Sequence, residues 1–159
     1  MRNNSGGVVL GYFYIIILLI IGFDQTTKFL IHKYLALNQG IHIIPGVLSF
    51  THIKNPGAAF GILPNKTFVL ILLTLVLFMF VFFFRKKIPE HPFSFRLGLA
   101  LGLGGAAGNL IDRLRTGLVI DFLDVDFWPL QNFPIFNFAD TAIFIGVVMV
   151  FWYLSQLEN

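Results

Sequence analysis

Four apolar runs, separated by short polar or mixed stretches, set the pattern of the chain. A helix needs roughly 20 consecutive apolar residues to cross a hydrocarbon core of about 30 Å. Runs near that length occupy about residues 8–23, 67–84, 97–114 and 136–154. The second, TFVLILLTLVLFMFVFFF, is uncharged and almost wholly Leu, Ile, Val and Phe. Such residues each favour insertion by roughly 0.3 to 0.6 kcal/mol near the bilayer centre, so this run is expected to insert unaided. The third is rich in Gly and Ala, and the fourth carries Asp140 near its start. The expected fold class is a mainly α membrane protein, one polytopic domain over residues 1–159 with four transmembrane helices.

The first run follows Arg2 and resembles a cleavable signal peptide, but no small-residue A-x-A site follows it. Asp24-Gln25-Thr26-Thr27-Lys28 arrives instead, which reads as the end of a retained span. Between the spans, residues 41–62 (IHIIPGVLSFTHIKNPGAAFGI) combine β-branched and aromatic residues, partial alternation and Pro-Gly punctuation. That combination predicts short strands and turns, a small β-rich segment at the membrane surface. Residues 116–134 mix apolar residues with Asp121, Asp124, Asp126, Trp128 and Pro129, and read as a loop with interfacial aromatics.

Composition narrows the function. The chain is 57% hydrophobic and 12% charged, whereas a soluble domain carries about a quarter charged residues. With 20 Phe and a mean hydropathy of +0.82, a soluble globular enzyme is excluded. The absence of cysteine removes thiolate nucleophiles, thiolate metal sites and disulfides, and neither a metal nor a cofactor is expected. The net charge is +3, but the basic residues are scattered among apolar runs, so no nucleic-acid partner is expected. Arg85-Lys86-Lys87 is the one tight basic cluster. The positive-inside rule places it in the cytoplasm, together with both termini. Residues 41–62 then face outward.

On that topology Asp24, Asp112, Asp121, Asp124, Asp126 and Asp140 gather at the outer ends of the helices. Ionisable residues in or near spans are functional candidates, because an Asp at the bilayer centre costs about 2.5 to 3.5 kcal/mol. Near the interface they also meet water. The third span runs outward and the fourth inward, so Asp121 beyond the one and Asp140 inside the other are placed to converge. Two carboxylates held close share a proton and titrate as a pair. One then activates water while the other protonates the carbonyl oxygen or leaving amine. The bland alternative keeps Asp140 as a helix cap or a partner of Arg113, and Asp121 as part of a solvated loop.

Asn109, Asp112 and Arg113 stand at i, i+3 and i+4, and Asn137 and Asp140 at i and i+3, so each set shares a helix face. These residues either hold a substrate backbone or satisfy one another across helices. Asp24 and Lys28 are an i, i+4 pair, worth about 0.3 to 0.5 kcal/mol in isolation, and are expected to be structural. Gly102–Ala107 matches a dinucleotide-binding pattern, but it lies inside an apolar run with no preceding strand. Gly98/Gly102 and Gly104/Gly108 read as close helix contacts. His32, His42 and His52 lack a clustered acidic partner for a metal, and Ser49 with Lys54 lacks support as a dyad.

The ordered set DQTTK (24–28), NPGAAFGI (55–62), GNLIDR (108–113), VIDF (119–122) and FNFADTAI (136–143) closely resembles the bacterial signal peptidase II family. The resemblance implies an aspartic endopeptidase of the bacterial cytoplasmic membrane, its active site near the outer face. Such an enzyme removes the signal peptide from a diacylglyceryl-modified prolipoprotein by cutting before the lipidated cysteine. By motif, the catalytic pair is Asp121 and Asp140. Asn55, Asn109, Arg113 and Asn137 match residues that line the substrate pocket, and Asp24, Lys28 and Asp112 look like supporting polar residues. Membrane lipids as surroundings and the cyclic peptide globomycin as inhibitor are implied by the same resemblance. The main alternative is a small dimeric proton-coupled transporter, which wants its acid near the midplane. A membrane scaffold with purely structural polar ends is a third reading.

Overall fold

The computed structural model describes residues 5–58, 62–85, 88, 92–127, 129–130 and 133–157, with side chains from residue 11 onward. Four helices and a three-stranded sheet follow in the order α1 (Ser5–Tyr34), β1 (Gly40–Ile44), β2 (Leu48–Asn55), α2 (Thr67–Phe84), α3 (Phe93–Thr116), β3 (Val119–Val125) and α4 (Phe138–Ser155). Arg2, Lys86, Lys87, Trp128 and residues 59–61 of the NPGAAFGI run lie outside the described residues.

Among the described residues, three helices are long and apolar enough to cross a membrane: Gly11–Tyr34, Thr67–Phe84 and Phe138–Ser155. The fourth helix, α3, exists at full length but is diluted by glycines and by Arg96, Asp112, Arg113 and Arg115. α2 matches the expected second span residue for residue. α1 instead continues to Tyr34, so Asp24 and Lys28 lie within a helix and not beyond its end. Hydropathy hides this extension, because both polar side chains are buried by contacts that the local sequence does not record.

α3 is the central helix, packed on α4 and α1, and its glycines let the backbones approach. A Cβ on Gly98 would meet the Gly146 carbonyl at 2.9 Å, and one on Gly108 would meet Asp24 Oδ2 at 2.5 Å. Small residues at such contacts replace the hydrophobic drive that helices lack among themselves in lipid. α2 is peripheral, with Leu70 as its one buried residue.

The sheet has the order β1-β2-β3, antiparallel throughout. Pro45-Gly46 closes the first hairpin, with Gly46 at φ +69° and Val47 N donating to Ile44 O at 3.0 Å. A left-handed residue after proline is the requirement of a type II turn. The strands in 41–62 are thus as expected, whereas the loop expected over 116–134 is corrected: Val119–Val125 is a strand. Its alternation is masked because Val119, Phe122 and Leu123 are all buried, so residues on both faces are apolar.

Phe122 and Leu123 form a core with Ile31 of α1 and Leu35 just beyond its end, flanked by Leu48, Phe50, Ile120, Phe136 and Phe138. This core seats the sheet on the α1 C-terminus. His52 is buried there and donates from Nδ1 to Leu35 O at 2.9 Å, with the His32 ring edge-on at 5.4 Å. His42 Nδ1 and Ser49 Oγ stand 2.9 Å apart, so Ser49 pairs with His42, and Lys54 is exposed. Thr51 Oγ1 donates to Asp124 at 2.7 Å. Between Phe50 and Ile53 the register of β2 against β3 shifts by a bulge, one step from the pairing of Ile53 with Asp121. Bulges re-aim nearby side chains, and this one adjoins the carboxylate of greatest interest.

Candidate active site

The C-terminal parts of α1 and α3 and the N-terminal end of α4 meet β3 around a buried polar cluster. Gly117, left-handed at φ +78°, ends α3 and donates to Arg113 O at 3.0 Å. Two residues later β3 begins, so the turn carries Asp121 back against the helix ends.

α4 starts from a capping box. Asn137 accepts from Asp140 N at 2.9 Å, and Asp140 Oδ2 accepts from Asn137 N at 3.2 Å. Ala139 N, another donor of that first turn, is satisfied from a different helix by Asp24 Oδ1 at 3.0 Å. Orphan N–H groups and the positive end of the helix dipole favour carboxylates at these positions. Asp140 is therefore a cap, as the bland reading held, but only one of its oxygens is engaged in that way. Its Oδ1 accepts from Asn109 Nδ2 at 2.8 Å.

Asp121 comes from β3 and is 2% exposed. Its Oδ1 accepts from Asn137 Nδ2 at 2.7 Å and its Oδ2 from Asn55 Nδ2 at 2.8 Å. Asn137 thus contacts both carboxyl groups, one through its amide and one through its backbone and cap. Burial, then the neighbouring Asp140 carboxylate, pushes the Asp121 carboxyl up to about 7, against the lowering pull of Asn55, Asn137 and Lys28. A carboxyl tuned close to neutral is able to give or take a proton there.

Behind the pair lies an ion cluster. Lys28 Nζ is 2.9 Å from Asp24 Oδ2, 2.9 Å from Asp112 Oδ2 and 2.8 Å from Asn109 Oδ1. With Asp24 at 0% and Lys28 at 2% exposure, the weak solvated pair expected from spacing is replaced by a buried triad. Breaking such a cluster by removing one partner costs about 3 to 5 kcal/mol. Gln25 was given no role from sequence, yet its Nε2 donates to Asp112 Oδ1 at 2.8 Å and to Gly108 O at 3.1 Å. Its place three residues before Lys28, on the same helix face, was the available signal. Asp112 Oδ2 also accepts from Ile120 N at 3.3 Å, tying α3 to β3 beside Asp121.

Arg113 does not turn into this cluster. Its Nη2 donates to Gly57 O at 2.9 Å, while Asn55 Oδ1 accepts from Gly57 N at 2.8 Å. Asn55 and Arg113 therefore bracket the start of the NPG turn from opposite sides of one residue. All nine residues singled out from sequence lie in one connected polar region, with Asp124 and Asp126 outside it.

Residues 16–156 match the sequence model of the family described as signal peptidase (SPase) II. A lipoprotein signal peptidase of Moorella thermoacetica is 44% identical over 143 residues, covering 89% of this chain and 91% of that protein. Another from Enterococcus faecalis is 37% identical over 147 residues, covering 92% and 89%. A solved structure described as a bacterial membrane enzyme, obtained by the in meso method, superposes with a TM-score of 0.88 at 32% identity, covering 94% of this chain and 90% of that one.

Proposed function

The chain belongs to the signal peptidase II family, and from that membership we propose that it is an aspartic endopeptidase removing the signal peptide of diacylglyceryl-modified prolipoproteins, with Asp121 and Asp140 as its catalytic pair. The observation that carries this reading is the convergence of the two carboxyl groups on Asn137, from a strand and a helix N-terminus. The ionised member takes a proton from water as the water oxygen attacks the scissile carbonyl. The protonated member gives its proton to the carbonyl oxygen. When the tetrahedral gem-diol collapses, one of its hydroxyls returns its proton to the ionised member as the C=O reforms, the protonated member gives its proton to the departing amine, the C–N bond breaks, and the pair is left with one shared proton.

The cut falls before the lipidated cysteine, and α3 serves as a fourth span, so the pair lies at the outer face of the bacterial cytoplasmic membrane with both termini cytoplasmic. A substrate bearing a signal helix and two acyl chains stays in the bilayer, and its scissile bond reaches water at that depth. Asn55, Asn109, Arg113 and Asn137 line the substrate, the sheet over 41–62 cradles it, and Asp24, Lys28 and Asp112 support them. Globomycin is expected to occupy the same site. Asp140 lies at a helix end and Asp121 on β3 beside it, which does not favour a transporter with a midplane acid.

The test is cleavage of a diacylglyceryl-modified prolipoprotein by the purified protein, beside folded Asp121→Asn and Asp140→Asn variants. The wild type should cut before the modified cysteine, and each variant should lose at least about 10³-fold in kcat, as expected when a member of an acid–base pair is lost. A folded variant with undiminished turnover refutes the dyad.

A further inference from the structure

We propose that Lys28 is a positioning residue of the site: acting through the Asn109 amide, it fixes the hydrogen-bond polarity presented to Asp140 and so sets the pH at which the Asp121–Asp140 pair becomes active. The proposal rests on reading those two residues as the catalytic pair.

Three asparagines donate to the two carboxyl groups, and an asparagine amide presents either an acceptor oxygen or a donor NH2 depending on its flip. Asn55 is oriented by a backbone group, since its Oδ1 accepts from Gly57 N at 2.8 Å. Asn137 is oriented in the same way, its Oδ1 accepting from Asp140 N at 2.9 Å. Among the described residues Asn109 has no such backbone anchor. Its Oδ1 is held by Lys28 Nζ at 2.8 Å, with a longer bond from Asn137 Nδ2 at 3.2 Å. An ammonium group has three donors and no acceptor, so the atom facing it must be the oxygen. The NH2 is thereby forced towards Asp140 Oδ1, 2.8 Å away.

Lys28 is itself fixed. Its three donors go to Asp24, Asp112 and Asn109, so the ammonium has no freedom to turn away. The chain of contacts runs from a saturated buried cation, through one amide, to one oxygen of the pair. A flipped Asn109 would set its oxygen against a carboxylate oxygen, an arrangement tolerable only with Asp140 protonated. The positive charge adds to this steering, because it also opposes the upward push of burial on Asp121.

The charged groups around the pair come from every packed helix. α1 supplies Asp24 and Lys28, α3 supplies Asp112 and Arg113, and α4 supplies Asp140. β2 contributes the neutral Asn55, and Asp124 of β3 is held by Thr51. Arg113 is the other cation with electrostatic reach to both carboxylates, but its Nη2 is directed to Gly57 O. Among the described residues, Lys28 is the cation hydrogen-bonded to an asparagine that donates to the pair.

The experiment is a pH profile of kcat and KM for prolipoprotein cleavage by the full-length wild type, Lys28→Met and Asn109→Leu. Asn109→Leu removes the steered amide while leaving the Lys28 ion pairs in place, so it keeps the idea testable if Lys28→Met does not fold. Both variants should shift the acid limb of kcat upward by about one pH unit, because a hydrogen bond or charge favouring the ionised pair is lost. At neutral pH kcat should fall about tenfold or more in both, with KM changed less than threefold in Lys28→Met. A purely structural Lys28 would lower the amount of active enzyme without moving the limb, and an unmoved limb in either folded variant overturns the proposal. If instead Asp121→Asn and Asp140→Asn retain full turnover, the dyad itself fails, and the two failures are told apart.

Discussion

At the scale of single residues, the site is a set of acceptors held by donors that have no freedom to reverse. Asn137 is fully buried, caps α4, bonds Asp121 and reaches Asn109, so one side chain couples helix initiation to the geometry of the pair. The raised Asp121 carboxyl has a consequence for stability. The folded protein holds that proton up to about pH 7, while the unfolded chain releases it near the ordinary 3.8. Between those values the native state binds more protons, so stability is greatest below the window and falls as pH rises through it. The slope from this one group is at most about 1.4 kcal/mol per pH unit. Denaturation of the detergent-solubilised protein across that range should show the decline, and Asp121→Asn, which keeps the neutral shape, should remove this component. Equal slopes in both proteins would show that Asp121 ionises in the fold as it does in water. Asp121 and Asp140 were legible as candidates because carboxylates near spans are rare. The role of Gln25 was not, because an amide gives no composition signal and its partners, Asp112 and Gly108 O, are far along the chain.

At the scale of elements, the glycine contacts of α3 decide how closely the polar faces meet. A Cβ on Gly105 would run into the Ala139 carbonyl, in the first turn of the helix that carries Asp140. A Cβ on Gly102 would find open space. Gly105→Ala should therefore push α4 off α3, with a loss of about 1 to 3 kcal/mol from overpacking and a fall in cleavage activity. Gly102→Ala should be neutral or stabilising by up to about 1 kcal/mol through helix propensity. Thermal unfolding and activity of the two purified variants check the contrast, and matching behaviour would mean that the α3–α4 spacing is not set at Gly105. The small-residue spacing in 97–114 was readable from sequence, but which glycine faced which helix was not, since facing depends on the partner. α2 was readable to the residue because a wholly uncharged run ends abruptly at Lys66 and Arg85. The continuation of α1 past residue 23 was hidden by Asp24 and Lys28, polar residues whose burial comes from α3 and α4. β3 was hidden for the opposite reason: with Val119, Phe122 and Leu123 all buried, it has no wet face to produce a period of two.

At the scale of the whole molecule, the division of labour among helices follows from where polarity is allowed. α2 touches the rest lightly and is apolar all round, as suits a helix surrounded by lipid. α3 carries Asn109, Asp112 and Arg113 and also the glycines, so it is made to be surrounded by protein. Isolated in a bilayer, α3 would expose those groups and its glycine backbone to hydrocarbon, where each unsatisfied polar group costs several kcal/mol. Within the folded chain, Asn109 and Asp112 are met by Lys28, Gln25, Asn137 and the Ile120 amide, while Arg113 has the Gly57 carbonyl. Insertion of α3 as the proposed fourth span is therefore expected to depend on its neighbours. Placed singly in a host protein whose glycosylation reports translocation, residues 67–84 should integrate on their own and residues 93–116 should largely fail. Joining residues 93–157 should restore integration of α3, because α4 covers its glycine face and brings Asn137 to Asn109. Efficient insertion of residues 93–116 alone would show that α3 does not need its partners. The buried polar cluster would then be separable from membrane assembly, and free to be explained by the chemistry at Asp121 and Asp140 alone.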